Sequence, residues 1–193
     1  MSSILFASHN SHKAKEIASL LPPHLKLITL SDLNYNEDIP ETGITLKENA
    51  LIKAKFSYQK FNCNCFADDS GLEVEILNNE PGVYSARFAG PQKNDDANME
   101  KLLNSLEDIK NRTARFKTVI AFIFDGKEYF FEGIINGKIT YAKCGTNGFG
   151  YDPIFIPDGY TKTFAEMSSE EKNSISHRAI AVKKLIEFLI NIK

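Results

Sequence analysis

This 193-residue chain is short of several features, and each shortage excludes something. It has no charge excess, since 23 Lys and Arg stand against 25 Asp and Glu for a formal net charge of −2. Such a balance creates no broad basic field for nucleic acid, so any polyanion must be met by a local cluster of positive side chains. Cysteine is scarce, at three residues. Cys63 and Cys65 have C-x-C spacing without a second pair or a nearby histidine, which argues against a structural zinc site. With no signal peptide, thiols in a reducing cytoplasm are the expectation. No apolar run approaches the roughly 20 residues needed to cross a bilayer, so no membrane partner is expected. Repeats, low-complexity tracts and linkers are missing too. So are the glycine fingerprints of Walker and dinucleotide-binding loops.

What is present can build a core. Hydrophobic residues make up 42% of the chain and include 14 Phe, enough for one domain over 1–193, with or without a smaller lobe. "SILFA" (3–7) reads as a buried strand. Ala14, Ile17, Ala18 and Leu21 then fall at helical spacing until Pro22 and Pro23 stop the helix. "LKLITL" (25–30) is a second strand. Thr45, with Glu48 three residues on, opens a helix that should run to about residue 60. "CFADD" predicts a strand ending on its acidic pair, and "LEVEIL" (72–77) one with Leu72, Val74 and Ile76 inward. A helix over about 95–105 is capped by Asn94. Asp125-Gly126 and Asn136-Gly137 both predict two-residue hairpins, giving a three-stranded meander from 114 to "KITYA". The tail 176–190 is an amphipathic helix with Val182, Leu185, Ile186 and Leu189 on one stripe. Early helix–strand alternation followed by a meander gives an α/β class with a mixed sheet.

Chemistry concentrates in a few places. Asp68 and Asp69 are adjacent carboxylates, whose burial is costly unless a metal, a lysine or a phosphate with its magnesium neutralises them. "FASHNSHK" is a strand, a short polar loop and a helix N-terminus, which aims N–H groups at an anion. A strand–loop–helix with a surface lysine is common, so that signal is weak alone. Lys53 shares a helical stripe with Leu46 and Ala50, where it either snorkels at the margin or reaches a cleft. His177 and Arg178 fall in the first turn of the tail helix, where cations oppose the dipole and a bound anion or an oxygen-rich ligand would explain them. "GTNGFGYDP" (145–153) can approach a ligand and stack an aromatic ring on a base, or simply connect meander to tail with its aromatics as core anchors. Asp152, preceding Pro153, is expected to be extended. A phosphate loop, acidic residues for a metal and a place for a ring together suggest a nucleotide with magnesium.

The motifs "SHNSHK", "ETG…ENA…KA" (41–54), "ADDSGLEVE", "PGVYSARFAG", "GFGYDPIF" and "EEKNSISHR" run almost end to end. In that order they resemble the inosine triphosphate pyrophosphatase family of the dITP/XTP type. The resemblance implies an elongated mixed β-sheet flanked by helices, two lobes with a nucleotide cleft between them, and a homodimer. It also implies Mg²⁺-dependent hydrolysis of deaminated purine nucleoside triphosphates to monophosphate and pyrophosphate. Carried over by position, Ser8, His9, Asn10, Ser11, His12 and Lys13 form the phosphate loop, and Ser70 and Lys53 line the phosphates. Glu41 and Asp69 are the metal carboxylates, with Asp69 also the general base. Phe149, Gly150, Tyr151, Asp152 and Lys172 hold the nucleoside, and His177 and Arg178 read the base. Strand alternation then sends Asp68 to the face opposite Asp69. Ser8 stands where the family more often has threonine. Asn147 stands where glycine is usual, and is expected to tolerate a positive φ.

Overall fold

The computed structural model describes residues 2–192. The chain divides into two compact units. Unit 1 holds residues up to Asp69, Thr118–Gly133 and the chain from Arg178 onward; unit 2 holds Ser70–Lys117 and Ile134–His177.

Unit 1 begins with a β-α-β segment. Strand β1 (Ser2–Phe6) leads to helix α1 (Ser11–Leu20) and to β2 (Leu25–Thr29), which pairs parallel to β1 with Ser2 opposite Leu25. Asn10 caps α1 by accepting the Lys13 N–H, and the helix ends just before Pro22 and Pro23, as the prolines require. Helix α2 (Leu46–Phe61) starts with the predicted Thr45–Glu48 capping box and stops at Asn62, which is left-handed. Strand β3 (Cys65–Val74) enters parallel to β1, with Phe6 opposite Phe66. Its alternation divides the unit's core. Phe66 joins Phe6, Ile17, Phe122, Val182 and Leu185, while Ala67 joins Ala50, Ala54 and Ala121 under α2. The alanine layer lets α2 approach the sheet closely, so Asn49 and Lys53 on the same buried stripe reach Asp69 in the middle of β3.

Unit 2 takes over the same strand. The two-residue β4 (Glu80–Pro81) pairs antiparallel with the end of β3, and α3 (Asp95–Ser105) is capped by Asn94 as predicted. Strands β5 (Thr113–Phe124) and β6 (Lys127–Ile139) begin and end in different units, and β7 (Phe155–Pro157) pairs antiparallel with β6. The strands are ordered β2-β1-β3-β5-β6-β7, with β4 beside β3. This is a mixed sheet flanked by helices, the predicted α/β class. Leu72, Leu102, Leu106, Phe116, Phe155 and Phe164 form the core of unit 2. The short helix α4 (Ser169–Ile175) and the longer α5 (His177–Asn191) follow. The α5 stripe buries Val182 and Leu185, with Ile186 and Leu189 partly buried beside them.

Four expectations need correction. The strand through "CFADD" runs on past the acidic pair to Val74. The "LEVEIL" strand stops at Val74, and a 3₁₀ turn over Glu75–Leu77 leaves Ile76 47% exposed. Asn136-Gly137 is no turn but lies inside β6. A Cβ on Gly137 would sit 2.2 Å from the Ile156 carbonyl oxygen, so the glycine serves close approach of β7 and imitates a hairpin signal. Asp152 opens a 3₁₀ turn (Asp152–Ile154) rather than lying extended. Helix α4, not predicted, has its own capping box from Ser168 and Glu171.

All three cysteines are free thiols, with Cys63 and Cys144 exposed and Cys65 buried. Burial, with Cys63 nearby, pushes the Cys65 thiol up to about 12. Its Sγ lies 3.3 Å from the Ala54 carbonyl oxygen. Titration of the native protein with a disulfide reagent should therefore release two equivalents promptly and the third only in denaturant. Prompt release of three would contradict the packing of β3 against α2.

Candidate active site

The phosphate-loop residues gather at the start of α1, in unit 1. Ser8 Oγ accepts the Asn10 N–H at 3.2 Å, and Ser11 and His12 are exposed in the first helical turn. His9 stacks on Tyr35, and its Nε2 lies 3.0 Å from the Glu37 carbonyl oxygen, so it ties the loop to the 34–40 segment. Lys13 reaches inward, with its Nζ 3.0 Å from Asp68.

The two aspartates keep the alternation of their strand. Asp68, on the Phe66 side, meets Lys13 from α1 and Arg178 from α5 (3.5 Å), and Arg178 is also bonded to Glu16 of α1. Asp69, on the Ala67 side, meets α2. Its Oδ1 lies 3.7 Å from Lys53 Nζ, and its Oδ2 accepts from Asn49 Nδ2 at 3.2 Å. Lys53 also donates to Glu41 at 2.5 Å. Lys53 is thus no snorkelling residue at a helix margin. Its side chain is 10% exposed, and the ammonium ends against two carboxylates.

Burial dominates the electrostatics. It pushes the Asp68 carboxyl up, but Lys13, Arg178 and Lys53 outweigh it and hold Asp68 far below the usual carboxylate range. For Asp69 burial prevails over Lys53 and Lys13, with Glu41 and Asp68 adding to it, so this carboxyl lies above its ordinary value. Burial pulls the Lys13 ammonium down against the attraction of Asp68, with Lys53 and Arg178 helping. Lys53 is also desolvated, yet Asp69, Glu41 and Asp68 hold it above its ordinary value. The neighbouring carboxylates therefore take different protonation tendencies from different partners, a pattern found at sites of acid–base work.

Unit 2 holds a second buried ion pair. Lys172 of α4 donates to Asp152 at 2.5 Å, and both side chains are nearly inaccessible. Asp152 also accepts the Phe149 N–H at 2.9 Å, and the Lys172 ammonium lies 4.9 Å from the Phe149 ring centroid. The loop carrying Phe149 turns through Gly145, Gly148 and Gly150, all at positive φ. Gly148 is needed twice over, because a Cβ there would also lie 2.1 Å from Asp152 Oδ2. Asn147 does not take the positive φ expected of it; its side-chain amide instead donates to the Met167 carbonyl oxygen at 3.1 Å. Gly150 donates its N–H to Asp95 at 2.7 Å. Tyr151 is a core anchor, buried with its hydroxyl donating to the Ser85 carbonyl oxygen. His177 lies flat on Phe116, with centroids 4.7 Å apart.

The "Ham1 family" model matches residues 4–188. The chain belongs to the Ham1 family. It is 56% identical to the dITP/XTP pyrophosphatase of Flavobacterium johnsoniae over 186 residues, covering 96% of this chain and 97% of that one. It is 55% identical to the dITP/XTP pyrophosphatase of Christiangramia forsetii, over 96% of this chain and 98% of that one. Among solved structures, the Staphylococcus aureus Ham1 protein superposes with a TM-score of 0.90 at 44% identity over all of both chains. In this Ham1 chain the sequence-predicted residues therefore form two groups. Glu41, Lys53, Asp69 and Lys13 converge in unit 1, and Phe149, Asp152 and Lys172 in unit 2. His177 and Arg178, neighbours in sequence, contact different surroundings, Phe116 for one and Glu16 with Asp68 for the other.

Sequence reasoning missed Glu16, Asn49 and Asp95. Asn49 had a readable signal, four residues before Lys53 on the same helix face. Glu16 and Asp95 had none, because each meets a partner distant in sequence.

Proposed function

We propose that this protein hydrolyses deaminated purine nucleoside triphosphates (ITP, dITP and XTP) to the monophosphate and pyrophosphate. The observation that carries the reading is the buried cluster around Asp69, in which Lys53 and Glu41 join it while Lys13 and Asp68 stand on the other strand face. Three cations, Lys13, Lys53 and Arg178, face four carboxylates, Glu16, Glu41, Asp68 and Asp69.

The residues fit Mg²⁺. Glu41 and Asp69 already converge on one cation, the Lys53 ammonium. Among the described residues no three His, Cys, Asp or Glu side chains cluster to hold a metal. Two carboxylates with water and phosphate oxygens suit Mg²⁺, which seldom takes a full protein cage. Bound there, Mg²⁺ would supply positive charge to the triphosphate. Lys13, Lys53 and the N–H groups opening α1 bind phosphate oxygens and stabilise charge at the α-phosphorus. Asp69, a stronger base than an exposed aspartate, takes a proton as water attacks that phosphorus. The bond to the bridging oxygen breaks, and pyrophosphate leaves.

For the nucleoside, Phe149 offers its ring face to the base, with Lys172 and Asp152 fixing its loop. His177 and Arg178 read the base, because the C6 carbonyl oxygen of hypoxanthine or xanthine accepts from N–H donors, whereas the adenine amino group meets no acceptor on arginine. Glu16 and Asp68 hold the Arg178 guanidinium in place. The proposal extends to a cytoplasmic homodimer, supported by the free thiols and the family resemblance. Light scattering at twice the 21.7 kDa chain mass would bear the dimer out, and the single-chain mass would reject it.

A turnover panel tests the activity. ITP, dITP and XTP with Mg²⁺ should each give pyrophosphate, not phosphate, with ATP lower in kcat/KM by at least ~10-fold. Phosphate release, or equal use of ATP, would overturn the reading. Turnover unchanged by EDTA would overturn its metal.

A further inference from the structure

We infer that Asn49 is the positioning residue that sets Asp69 and the Glu41 loop relative to each other, an inference resting on the proposed role of Asp69. Asn49 is completely buried on the α2 stripe that also carries Leu46, Ala50, Lys53 and Ala54. A carboxamide there costs free energy unless both its ends are satisfied. Both are. Its Nδ2 donates to Asp69 Oδ2 at 3.2 Å, and its Oδ1 accepts the Gly43 N–H at 2.8 Å. The two partners fix the amide orientation, since a backbone N–H needs an acceptor and a carboxylate a donor.

Gly43 lies two residues from Glu41, in the segment leading into α2. Glu48 ties that segment down as well, accepting the N–H groups of Ile44 (2.7 Å) and Thr45 (3.1 Å). One turn of α2 thus holds the Glu41 segment through Glu48 and Asn49, while Asn49 and Lys53, four residues apart, both face Asp69. Each Asp69 oxygen has its own neighbour, Oδ1 near Lys53 and Oδ2 on Asn49. Asn49 thereby sets the rotation of the Asp69 carboxylate and leaves the Lys53 side to charge. A base misplaced by even ~1 Å loses about two orders of magnitude in rate.

Two variants separate this role from packing. Asn49→Leu fills similar volume and removes both hydrogen bonds. Asn49→Asp keeps an acceptor for Gly43 but removes the donor to Asp69. With saturating ITP and Mg²⁺, both should lose at least ~10-fold in kcat, with KM within ~3-fold of the unaltered enzyme. The Gly43 amide should exchange with solvent faster in Asn49→Leu and stay protected in Asn49→Asp. In ¹⁵N spectra of the unaltered protein without nucleotide, Mg²⁺ should shift the Asn49 side-chain amide signals, a readout independent of turnover. Full kcat in Asn49→Asp would overturn the inference, as would Asn49 signals indifferent to Mg²⁺ or a kcat loss that merely tracks the loss of folded protein. If the unaltered enzyme releases no pyrophosphate from ITP, the functional reading fails instead.

Discussion

Asp69→Asn is expected to lower kcat for ITP at least ~100-fold without unfolding the protein. The change is isosteric, so packing beneath α2 is untouched. The carboxamide oxygen can still accept from Asn49, and Lys53 keeps Glu41 at 2.5 Å. What disappears is a basic site and a full negative charge. Asp69 is raised above its ordinary pKa by burial, with the lysines opposing, so it is a stronger base than an exposed aspartate. A carboxamide can neither take that proton nor hold a cation as a carboxylate does. Pyrophosphate release at saturating ITP, with a thermal melt of the same sample, decides the matter. A kcat within threefold of the unaltered enzyme would remove Asp69 from the chemistry.

Asp68→Asn should act on stability instead. Asp68 is fully buried and neutralises Lys13 and Arg178, of which Arg178 is 1% exposed. Removing its charge leaves the half-buried Lys13 ammonium facing the cations Lys53 and Arg178, and takes the Asp68 carboxylate away from the guanidinium. Breaking a buried ion pair by losing one partner costs roughly 3–5 kcal/mol, and for a chain this size each kcal/mol moves the melting point by about 2–4 °C. A fall of the order of 10 °C is expected. The sign with pH follows from the direction of the shift. The folded pKa lies below the unfolded one, so Asp68 contributes its full stabilisation above about pH 4 and loses it as pH falls toward the folded value. Asp68→Asn should therefore flatten the acid limb of the stability curve. A melting point within 2 °C of the unaltered protein at neutral pH, with the acid limb unchanged, would show that Asp68 is structurally dispensable.

Local signals are legible wherever neighbours in sequence suffice. Asn10, Thr45 with Glu48, and Asn94 start helices because a side-chain oxygen finds an N–H three residues away. Pro22 and Pro23 end one because proline cannot continue it. The period-2 alternation of a strand is likewise enough to place Asp68 and Asp69 on opposite faces of β3. The same local reasoning fails where a distant strand decides the outcome. Asn136-Gly137 has the residues of a turn, but Gly137 is small because β7 packs against it. Ile76 continues a pattern that the chain abandons at Val74.

The sequence by itself determined the mixed α/β class, the motif resemblance and the list of charged candidates. Tertiary structure alone decided how those charges are shared. The helical stripe of Lys53 is as consistent with a margin residue as with a buried cation, and only the fold brings Glu41 and Asp69 to its ammonium. Arg178 meets Glu16 across 162 residues of chain, and no periodicity records such a pairing. A carboxylate's proton affinity is set by burial and by charges within a few ångströms. Adjacent aspartates therefore acquire opposite pKa shifts only once folding gives them different neighbours.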